Sequence, residues 1–241
     1  MDFRKIPNIS VDCVVFGFDH DGINILLSKR MLCMYDDKYP EINDWVLTGD
    51  HVYKSERLDE SAERIFKGLT GLDEVYKKQF RTFGNPARIK NEKDLLWLKS
   101  IGVNPQVMSV AYYFLLPTSQ VHHLDENTKW FPIKHLPQLG FDHDEIITRA
   151  HDDLKQKVMS EPVIFELLED KFTLNELQLA YVSVLDIEID NRNFRKKLIG
   201  KTYIVALDEK RIGTSKKPAS LYMFSKDIYE KMRNKNYIIN I

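Results

Sequence analysis

Carboxylates within residues 45–72 are the groups with which this sequence could do hydrolytic chemistry. Asp50, Glu56, Glu60 and Glu63 lie in that segment. Clustered carboxylates can hold Mg²⁺ or Mn²⁺, and the bound ion activates water and neutralises the charge on a leaving phosphate. Such chemistry requires the carboxylates to converge on one face of the element that carries them.

A helix over residues 58–69 is the element that would position these carboxylates. Its apolar residues recur at the spacing of one helix face, and they are Ala62, Ile65, Phe66 and Leu69. Gly71 follows in the position of a helix stop. Glu60 and Glu63 belong to the solvated face of this helix and do not form a cluster.

A basic segment near the C-terminus suggests a different chemistry. Residues 191–199 are predicted to form a helix in which Phe194 and Leu198, four residues apart, face a core. The outer surface of this helix would carry Arg192, Asn193, Arg195, Lys196 and Lys197. A DNA recognition helix needs such side chains, because they reach base edges and phosphates.

The loop over residues 210–217 carries further cations, namely Lys210, Arg211, Lys216 and Lys217. It lies between predicted strands at 203–205 and 221–224, so it is typical of a wing that contacts phosphates or a minor groove. The alternative is a solvated basic helix and hairpin that cap the first domain or mediate dimerisation.

Charge is divided unevenly along the chain. Residues 171–241 contain 14 Lys and Arg against 8 Asp and Glu, and the remaining residues contain 21 against 28. A basic part on an acidic body indicates a nucleic-acid partner for the basic part alone, although chance surface variation also produces such a division. The 43% hydrophobic and 29% charged residues are ordinary for a soluble globular protein.

The sequence predicts neither export nor membrane insertion. The N-terminus has no apolar stretch typical of a signal peptide, and no segment approaches the roughly 18 apolar residues of a membrane-spanning helix. Cys13 and Cys33 are the two cysteines, and they suggest neither a disulfide framework nor a zinc site. We expect a cytoplasmic protein that holds no metal or cofactor.

Hydrophobic patterning predicts two domains, residues 1–157 and 158–241. Strands of the first domain are expected at 11–18, 23–27, 45–47, 76–83, 109–116 and 130–133, and a helix at 145–157. The long segment 88–106 is expected to be functional or mobile, with a short helical lid at 94–99.

The second domain is predicted to begin with a helix over residues 174–185. Thr173 is a good N-cap, and Glu176 three residues later completes a capping-box pattern.

Residues 45–72 resemble the Nudix hydrolase box in frame and spacing. Seven residues separate Glu56 from Arg64. The residues that stand where the family has an aliphatic, a glycine and an aliphatic are Phe66, Gly71 and Leu72. The predicted hairpin and central strand fit the rest of the fold, so the resemblance covers about residues 8–155.

This resemblance implies that a working box would carry metal-binding glutamates where this chain has Ile65, Gly68 and Leu69. None of these side chains can ligate a cation or accept a proton. Asp50 replaces the loop glycine, while Glu56 and Arg64 remain and would form a structural ion pair. The resemblance therefore implies a fold without catalytic or metal-binding residues.

An active Nudix-type diphosphate hydrolase with an accessory domain is the alternative. It would recruit other carboxylates, such as Asp50, Glu60 or Asp142, into a new metal site. That site would have to form beside an apolar helix face, where unpaired charge is costly.

The C-terminal part resembles that of the Nudix-related transcriptional regulators. The resemblance is carried by residues 172–178, FTLNELQ, and 190–197, DNRNFRKK. That family includes regulators of NAD metabolism that sense ADP-ribose and a sugar-sensing branch with arabinose regulators. It implies an α/β (α+β) architecture in which a Nudix α/β/α sandwich is followed by a winged helix-turn-helix domain.

The resemblance also implies a ligand pocket between the central strands and the long loop. The candidate lining residues are Arg30, Trp45, Asp50, His51, Arg88, Tyr112 and His143. Trp45 and Tyr112 have the alternative role of core aromatics. His143 could instead cap the following helix, and the two arginines could be surface cations.

From these patterns we expect a homodimer that binds a double-stranded DNA operator under the control of a small-molecule effector. The expected effector is a sugar, a sugar phosphate or an ADP-ribose-like molecule. Loss of the diphosphate-metal apparatus favours a small sugar or sugar phosphate. The operator and the sign of regulation stay open.

Overall fold

The computed structural model describes residues 4–32, 41–89, 91–103, 105–211 and 218–239. Its strands are β1 (Lys5–Asp19), β2 (Gly22–Leu32), β3 (Ile42–Val46), β4 (Thr48–Tyr53), β5 (Tyr76–Phe83), β6 (Met108–Pro117), β7 (Thr128–Pro132), β8 (Ile204–Arg211) and β9 (Ala219–Phe224). Its α-helices are α1 (Leu58–Thr70), α2 (Glu92–Ser100), α3 (His143–Ser160), α4 (Leu174–Leu185), α5 (Asn191–Ile199) and α6 (Lys226–Ile239). None of the helices in these ranges is long and apolar enough to cross a membrane.

Strand β1 lies at the centre of a mixed sheet. It pairs antiparallel with β2 and β4 and parallel with β6, while β3 and β7 join through β2, and β5 joins through β6. Side chains of β1 alternate between two cores, with Val14 and Phe16 in one and Cys13 and Val15 in the other. Because both faces are covered, this strand needs apolar residues at successive positions.

Helices cover the two faces of the sheet. On one face α1 buries Ile65 and Phe66, and the Phe66 ring stacks on Phe114 with centroids 4.2 Å apart. On the other face α3 buries Ile146 and Leu154. The predicted stop of α1 is confirmed, because Gly71 follows it with φ +75°, a conformation that favours glycine.

The first helix of the C-terminal part packs on the same core. Leu177, Ala180 and Val184 of α4 belong to the apolar cluster that contains Phe16 of β1. The hairpin turn between β1 and β2 meets α4 at Gly22, where an added Cβ would lie 3.2 Å from Ser183 Cβ. The two parts of the chain therefore share one hydrophobic core.

The C-terminal part has the element order helix, helix, strand, strand. The predicted capping box is present, because the Thr173 amide donates to Glu176 Oε2 and the Glu176 amide donates to Thr173 Oγ1. Strands β8 and β9 form an antiparallel hairpin. Phe172 and Tyr222 exchange backbone hydrogen bonds, which joins this hairpin to the start of α4.

Several boundaries differ from the sequence-based expectations. Strand β4 was not expected, because residues 48–51 are mostly polar, and its pairing with β1 compensates for that composition. Helix α6 was not expected either. Helix α3 continues to Ser160, so the predicted division after residue 157 falls in its last turn, and that division stays a prediction.

Two of the cations expected in the wing loop lie in a strand instead. Lys210 and Arg211 belong to strand β8 because they pair with Ser220 and Ala219 of β9. Lys216 and Lys217 lie outside the described residues, as does Cys33.

Candidate ligand cavity and nucleic-acid interface

Glu56 and Arg64 form the ion pair that the resemblance of this segment implies. Arg64 Nε lies 2.6 Å from Glu56 Oε1, and Arg64 Nη2 lies 3.0 Å from Glu56 Oε2. Ser61 Oγ and the Tyr53 amide also donate to Glu56. The hydrogen bonds from Arg64 outweigh the effect of burial and lower the pKa of Glu56 to about 2. Protein donors therefore surround this carboxylate.

Asp50, which replaces the loop glycine, is paired with two cations. Lys5 Nζ lies 2.6 Å from Asp50 Oδ1, and Arg64 Nη1 lies 3.0 Å from Asp50 Oδ2. Burial alone would raise the pKa of Asp50, but the hydrogen bonds from Lys5 and from the His51 amide lower the pKa below its ordinary value. Lys5, Asp50, Arg64 and Glu56 thus form a chain of alternating charges, which we call the box ion-pair chain.

The three positions where a working box has glutamates differ in environment. Ile65 is buried, Leu69 is half-buried and Gly68 is exposed. Glu60 and Glu63 are exposed, as predicted. Glu63 pairs with Lys77, and Glu60 accepts a hydrogen bond from the Arg57 amide at 2.8 Å.

A cavity of about 290 Å³ lies between the sheet and the segment that contains α2. Five of the seven candidate ligand residues line it, namely Arg30, Asp50, His51, Arg88 and His143. The long segment supplies an apolar wall that includes Ile89, Trp97, Leu98, Ile101, Val103 and Val107. The predicted short helix of this segment is confirmed as α2, and two of its side chains face the cavity.

Arg30 is a buried part of this cavity and not a surface cation. It is 2% exposed, and its guanidinium lies 4.4 Å from the centre of the Phe141 ring. Nη2 donates to Asp44 Oδ2 at 2.8 Å and to Asp94 Oδ1 at 2.5 Å, and Nε donates to Asp44 Oδ1. Burial alone would lower the pKa of Arg30, but its hydrogen bonds to Asp44 and Asp94 raise that pKa. Because Asp94 belongs to α2, this cluster joins the helix to the sheet.

Arg88 is also buried and paired, so it too is not a surface cation. Its Nη2 lies 2.8 Å from Asp142 Oδ1 and 3.5 Å from Asp12 Oδ2. Asp12 in turn accepts a hydrogen bond from Ser109 Oγ at 2.5 Å.

His143 contacts a neighbouring strand connection and does not cap its own helix. The Leu47 amide donates to His143 Nδ1 at 2.8 Å. Burial lowers the pKa of His143, which favours the neutral ring. Because Nδ1 accepts, the proton of the neutral ring is on Nε2, which lies 4.0 Å from Asp12 Oδ1.

The structure corrects the prediction that Trp45 and Tyr112 line the cavity. Trp45 packs edge-to-face against Phe131, with ring centroids 4.8 Å apart. Tyr112 faces the side of the sheet that α1 covers, and its hydroxyl donates to Asp59 Oδ1 at 2.7 Å. Strand alternation decides this orientation, because successive side chains point to opposite faces.

Sequence reasoning missed several residues of the site, among them Asp12, Asp94, Trp97 and Phe141. Asp12 interrupts an apolar strand, and that interruption was the available signal. Phe141 has φ +57°, which is costly for a bulky residue, and no sequence pattern marks it. Asp94 and Trp97 could be placed on the predicted lid helix, but not beside Arg30.

Helix α5 exposes the five polar residues predicted to contact DNA. Its core contacts are the half-buried Phe194 and Leu198, and Phe194 packs edge-to-face on Tyr181 with centroids 5.7 Å apart. Asp190 caps the helix by accepting from the Asn193 amide at 2.9 Å. Arg192, Asn193, Arg195, Lys196 and Lys197 are all exposed. Arg195 also reaches Asn175 Oδ1, at 2.6 Å, on the preceding helix.

The hairpin β8–β9 places Lys210 and Arg211 differently. Lys210 is exposed. Arg211 donates to Glu176 and, at 2.7 Å, to the carbonyl of Lys171, so it braces the hairpin against the start of α4. A DNA contact by Arg211 stays a prediction.

Comparison with known proteins identifies relatives of both parts. Residues 164–224 match the NrtR DNA-binding winged helix domain. The chain is 27% identical over 234 residues to the "ADPR responsive transcriptional repressor NtrR" of Acinetobacter baylyi, an alignment that covers 93% of this chain and 84% of the relative.

Solved structures agree with this comparison. Shewanella oneidensis NrtR, crystallised with a 27mer DNA, is 25% identical with a TM-score of 0.70, and the match covers 92% of this chain and 95% of that protein. A MutT/nudix family protein from Enterococcus faecalis shows the same fold at 22% identity, with a TM-score of 0.64 and coverage of 92% and 89%. Residues 164–224 therefore form an NrtR-type DNA-binding winged helix domain, and over most of its length the chain is similar in sequence and fold to Nudix-related transcriptional regulators.

Proposed function

We propose that this protein is a transcriptional repressor whose affinity for an operator is controlled by an ADP-ribose-like effector bound in the cavity. The observation that carries the proposal is helix α5, which is anchored through Phe194 and Leu198 and turns its basic residues outward. A helix held in this way can enter the major groove while its cations contact phosphates. The DNA-bound relative NrtR has the same arrangement of domains.

The effector proposal rests on the cavity and on the name of a relative. The Acinetobacter baylyi repressor is described as ADPR responsive. In this chain the cavity combines an apolar wall with buried polar groups such as Arg30 and His143, which suits a ligand that carries both rings and hydrogen-bonding atoms. A sugar or sugar phosphate, the class favoured by sequence reasoning, is the other outcome of an effector screen.

We further propose that the Nudix-type domain binds its ligand without hydrolysing it. The residues of the box do not fit a divalent cation, because Asp50 and Glu56 are paired with Lys5 and Arg64. A metal ion would have to displace both protein cations. The three glutamate positions hold Ile65, Gly68 and Leu69, which offer no ligand atom.

Helix α3 provides a physical connection between the two sites. It begins at His143, which lines the cavity. Eight residues later His151 contacts the carbonyl of Val184 in α4, the helix that precedes α5. A ligand that shifts the start of α3 would therefore change how α3 packs against α4. This requires that the ligand binds the protein with different affinities before and after the shift.

A homodimer is part of the proposal. Two copies of the winged helix on a symmetric dimer would contact two half-sites of a pseudo-palindromic operator. The effector would then act on the spacing of the two recognition helices.

DNA binding is tested by selecting genomic fragments with the wild-type protein and measuring affinity for the selected site by fluorescence anisotropy. Arg192→Ala combined with Lys196→Ala should lower the affinity at least tenfold, because each cation is exposed on α5. Lys54→Ala, an exposed lysine of the Nudix-type domain, is the matched control and should bind as the wild type does. Equal binding by the double variant would overturn the assignment of α5.

Effector control and hydrolysis are tested on the same preparation. ADP-ribose should change operator affinity, while incubation of ADP-ribose with Mg²⁺ or Mn²⁺ should leave it intact. Turnover that disappears in Asp50→Asn or Glu60→Gln would establish the hydrolase instead. A response to arabinose or another sugar, without one to ADP-ribose, would replace the effector class.

A further inference from the structure

Arg30 has a hydrogen-bonding group that the protein itself leaves unused. Its side chain is 2% exposed and lines the cavity, yet Nη1 has no hydrogen-bond partner among the residues that the structure describes. A buried N–H group without a partner destabilises a folded protein, so such groups are rare. Nη1 is itself buried, so a ligand atom that enters beside Arg30 from the cavity, with a small shift of the side chain, would supply the missing acceptor.

The surroundings of Arg30 are built to hold the guanidinium in this position. At Gly140, an added Cβ would lie 2.5 Å from Arg30 Nη2, so only glycine leaves room for it. Phe141 places its ring under the guanidinium and its amide 3.1 Å from Asp94 Oδ1, and it does so with φ +57°. A bulky residue in the left-handed region is unfavourable and is found where structure serves function.

The charges around Arg30 indicate what kind of acceptor Nη1 can take. Nε and Nη2 are already bonded to Asp44 and Asp94, so the two-pronged donor face that binds phosphates and carboxylates is occupied. Two carboxylates face a single guanidinium, which leaves the cluster with an excess negative charge. A phosphate at Nη1 would be repelled by both carboxylates, whereas an uncharged acceptor would not.

We infer that Arg30 is a specificity-determining residue of the effector cavity, and that Nη1 donates to an uncharged oxygen or nitrogen acceptor on a sugar or base ring. This inference rests on the proposed function, because it takes the cavity as the effector site. Phosphates of the effector would then lie elsewhere in the cavity. The contact would also involve α2, because Asp94 binds the same guanidinium.

The test compares Arg30→Lys with the wild type by calorimetric titration of ADP-ribose. The lysine keeps the positive charge between Asp44 and Asp94 but removes the free nitrogen. The affinity for ADP-ribose should fall about tenfold, the effect of one lost hydrogen bond. Arg149→Lys, an exposed arginine on α3, is the matched control and should bind as the wild type does.

Competition by fragments distinguishes the chemistry of the contact. Adenosine, ribose and inorganic pyrophosphate are titrated as competitors of bound ADP-ribose in both proteins. Weaker competition by adenosine in Arg30→Lys assigns the contact to the base, and weaker competition by ribose assigns it to the sugar. Weaker competition by pyrophosphate alone would overturn the inference, as would unchanged binding of ADP-ribose.

Gly140→Ala provides a second variant in case Arg30→Lys does not fold. The added methyl displaces the guanidinium without removing it, so the same loss of affinity is expected. If ADP-ribose does not bind the wild type at all, both the proposed effector and this inference are wrong. If it binds the wild type and both variants equally, the inference alone is wrong.

Discussion

His151 Nε2 lies 2.7 Å from the carbonyl oxygen of Val184, in the last turn of α4. Burial lowers the pKa of His151, so the ring is neutral near pH 7 and Nε2 is the donor. His151 belongs to α3, which begins at the cavity with His143. Helix α4 ends at Leu185, and its C-cap Asp186 has φ +55° before the chain enters α5. One side chain thus joins the helix of the cavity to the helix that leads to the DNA-binding surface.

Replacing His151 should reduce the control of DNA binding by the effector. His151→Phe removes the donor to Val184 but keeps a ring of similar size, so we expect ADP-ribose to change operator affinity by a smaller factor than in the wild type. Coupling energies between sites are typically about 1–3 kcal/mol, so this change is measurable by anisotropy with and without ADP-ribose. His151→Gln, which retains a donor, should keep most of the response. A full response in His151→Phe would exclude this contact from the coupling.

The free energy of unfolding should decrease as pH is lowered, because His143 is buried in its neutral form. Its folded-state pKa lies below the ordinary value of 6.5. Between pH 6.5 and the folded-state pKa, the imidazole binds a proton in the unfolded chain but not in the folded chain. The free energy of unfolding therefore decreases as pH falls through this window. The slope reaches at most about 1.4 kcal/mol per pH unit for one group.

Urea unfolding between pH 7 and pH 5 measures this effect. His143→Gln should show a shallower decrease than the wild type, and the part that remains is expected from His151, whose pKa is also lowered. His122→Gln, at an exposed histidine, should match the wild-type slope. An identical slope in His143→Gln would show that this ring does not titrate in the expected window.

The salt dependence of DNA affinity should reveal the phosphate contact made by a single lysine of α5. Lys196 is exposed on this helix. Lys196→Ala should weaken binding to all sequences alike and reduce the slope of log affinity against log salt by about 1, because one phosphate contact is lost. Anisotropy at four salt concentrations measures the slope, and an unchanged slope would place Lys196 away from the phosphates.

Two glycines should respond in opposite directions to replacement by alanine. At Gly17 of β1 an added Cβ would lie 2.5 Å from the Trp130 ring, so Gly17→Ala should destabilise the fold by about 1–3 kcal/mol. At Gly68 of α1 an added Cβ meets no atom within 4 Å, and alanine is the better helix former. Gly68→Ala should therefore stabilise the fold by about 0.5–1 kcal/mol. Thermal unfolding of both variants checks the two signs.

Removing the charge of Glu56 should destabilise the box ion-pair chain. Glu56→Gln leaves Arg64 without its main partner, so we expect a loss of about 1–3 kcal/mol in urea unfolding at pH 7. Glu126→Gln, at an exposed glutamate, is the control and should change stability little. At pH values near 2 the free energies of unfolding of wild type and Glu56→Gln should converge, because the carboxyl of Glu56 becomes protonated there. Equal stability at pH 7 would mean that the pair contributes nothing to folding.

Local sequence patterns predicted most of the helices and strands and some of their contacts, but neither β4 nor α6. The resemblance of residues 45–72 to the Nudix box implied the ion pair of Glu56 and Arg64, and the apolar pair Phe194 and Leu198 predicted which face of α5 is exposed. Thr173 and Glu176 predicted a capping box that the structure contains. The exposed face of α5 and the capping box of α4 depend on residues near in sequence, and helical geometry relates such residues directly.

The amino-acid sequence by itself determined a basic helix with a narrow apolar face, and the structure confirms it as α5. Only the tertiary structure decided the contents of the cavity. Arg30 meets Asp94 across 64 positions, and Lys5 meets Asp50 across 45. Such pairs depend on how β1, β2 and α2 pack together, and no local periodicity encodes that packing. The same packing turned Tyr112 away from the cavity and left Nη1 of Arg30 buried without a hydrogen-bond partner among the described residues.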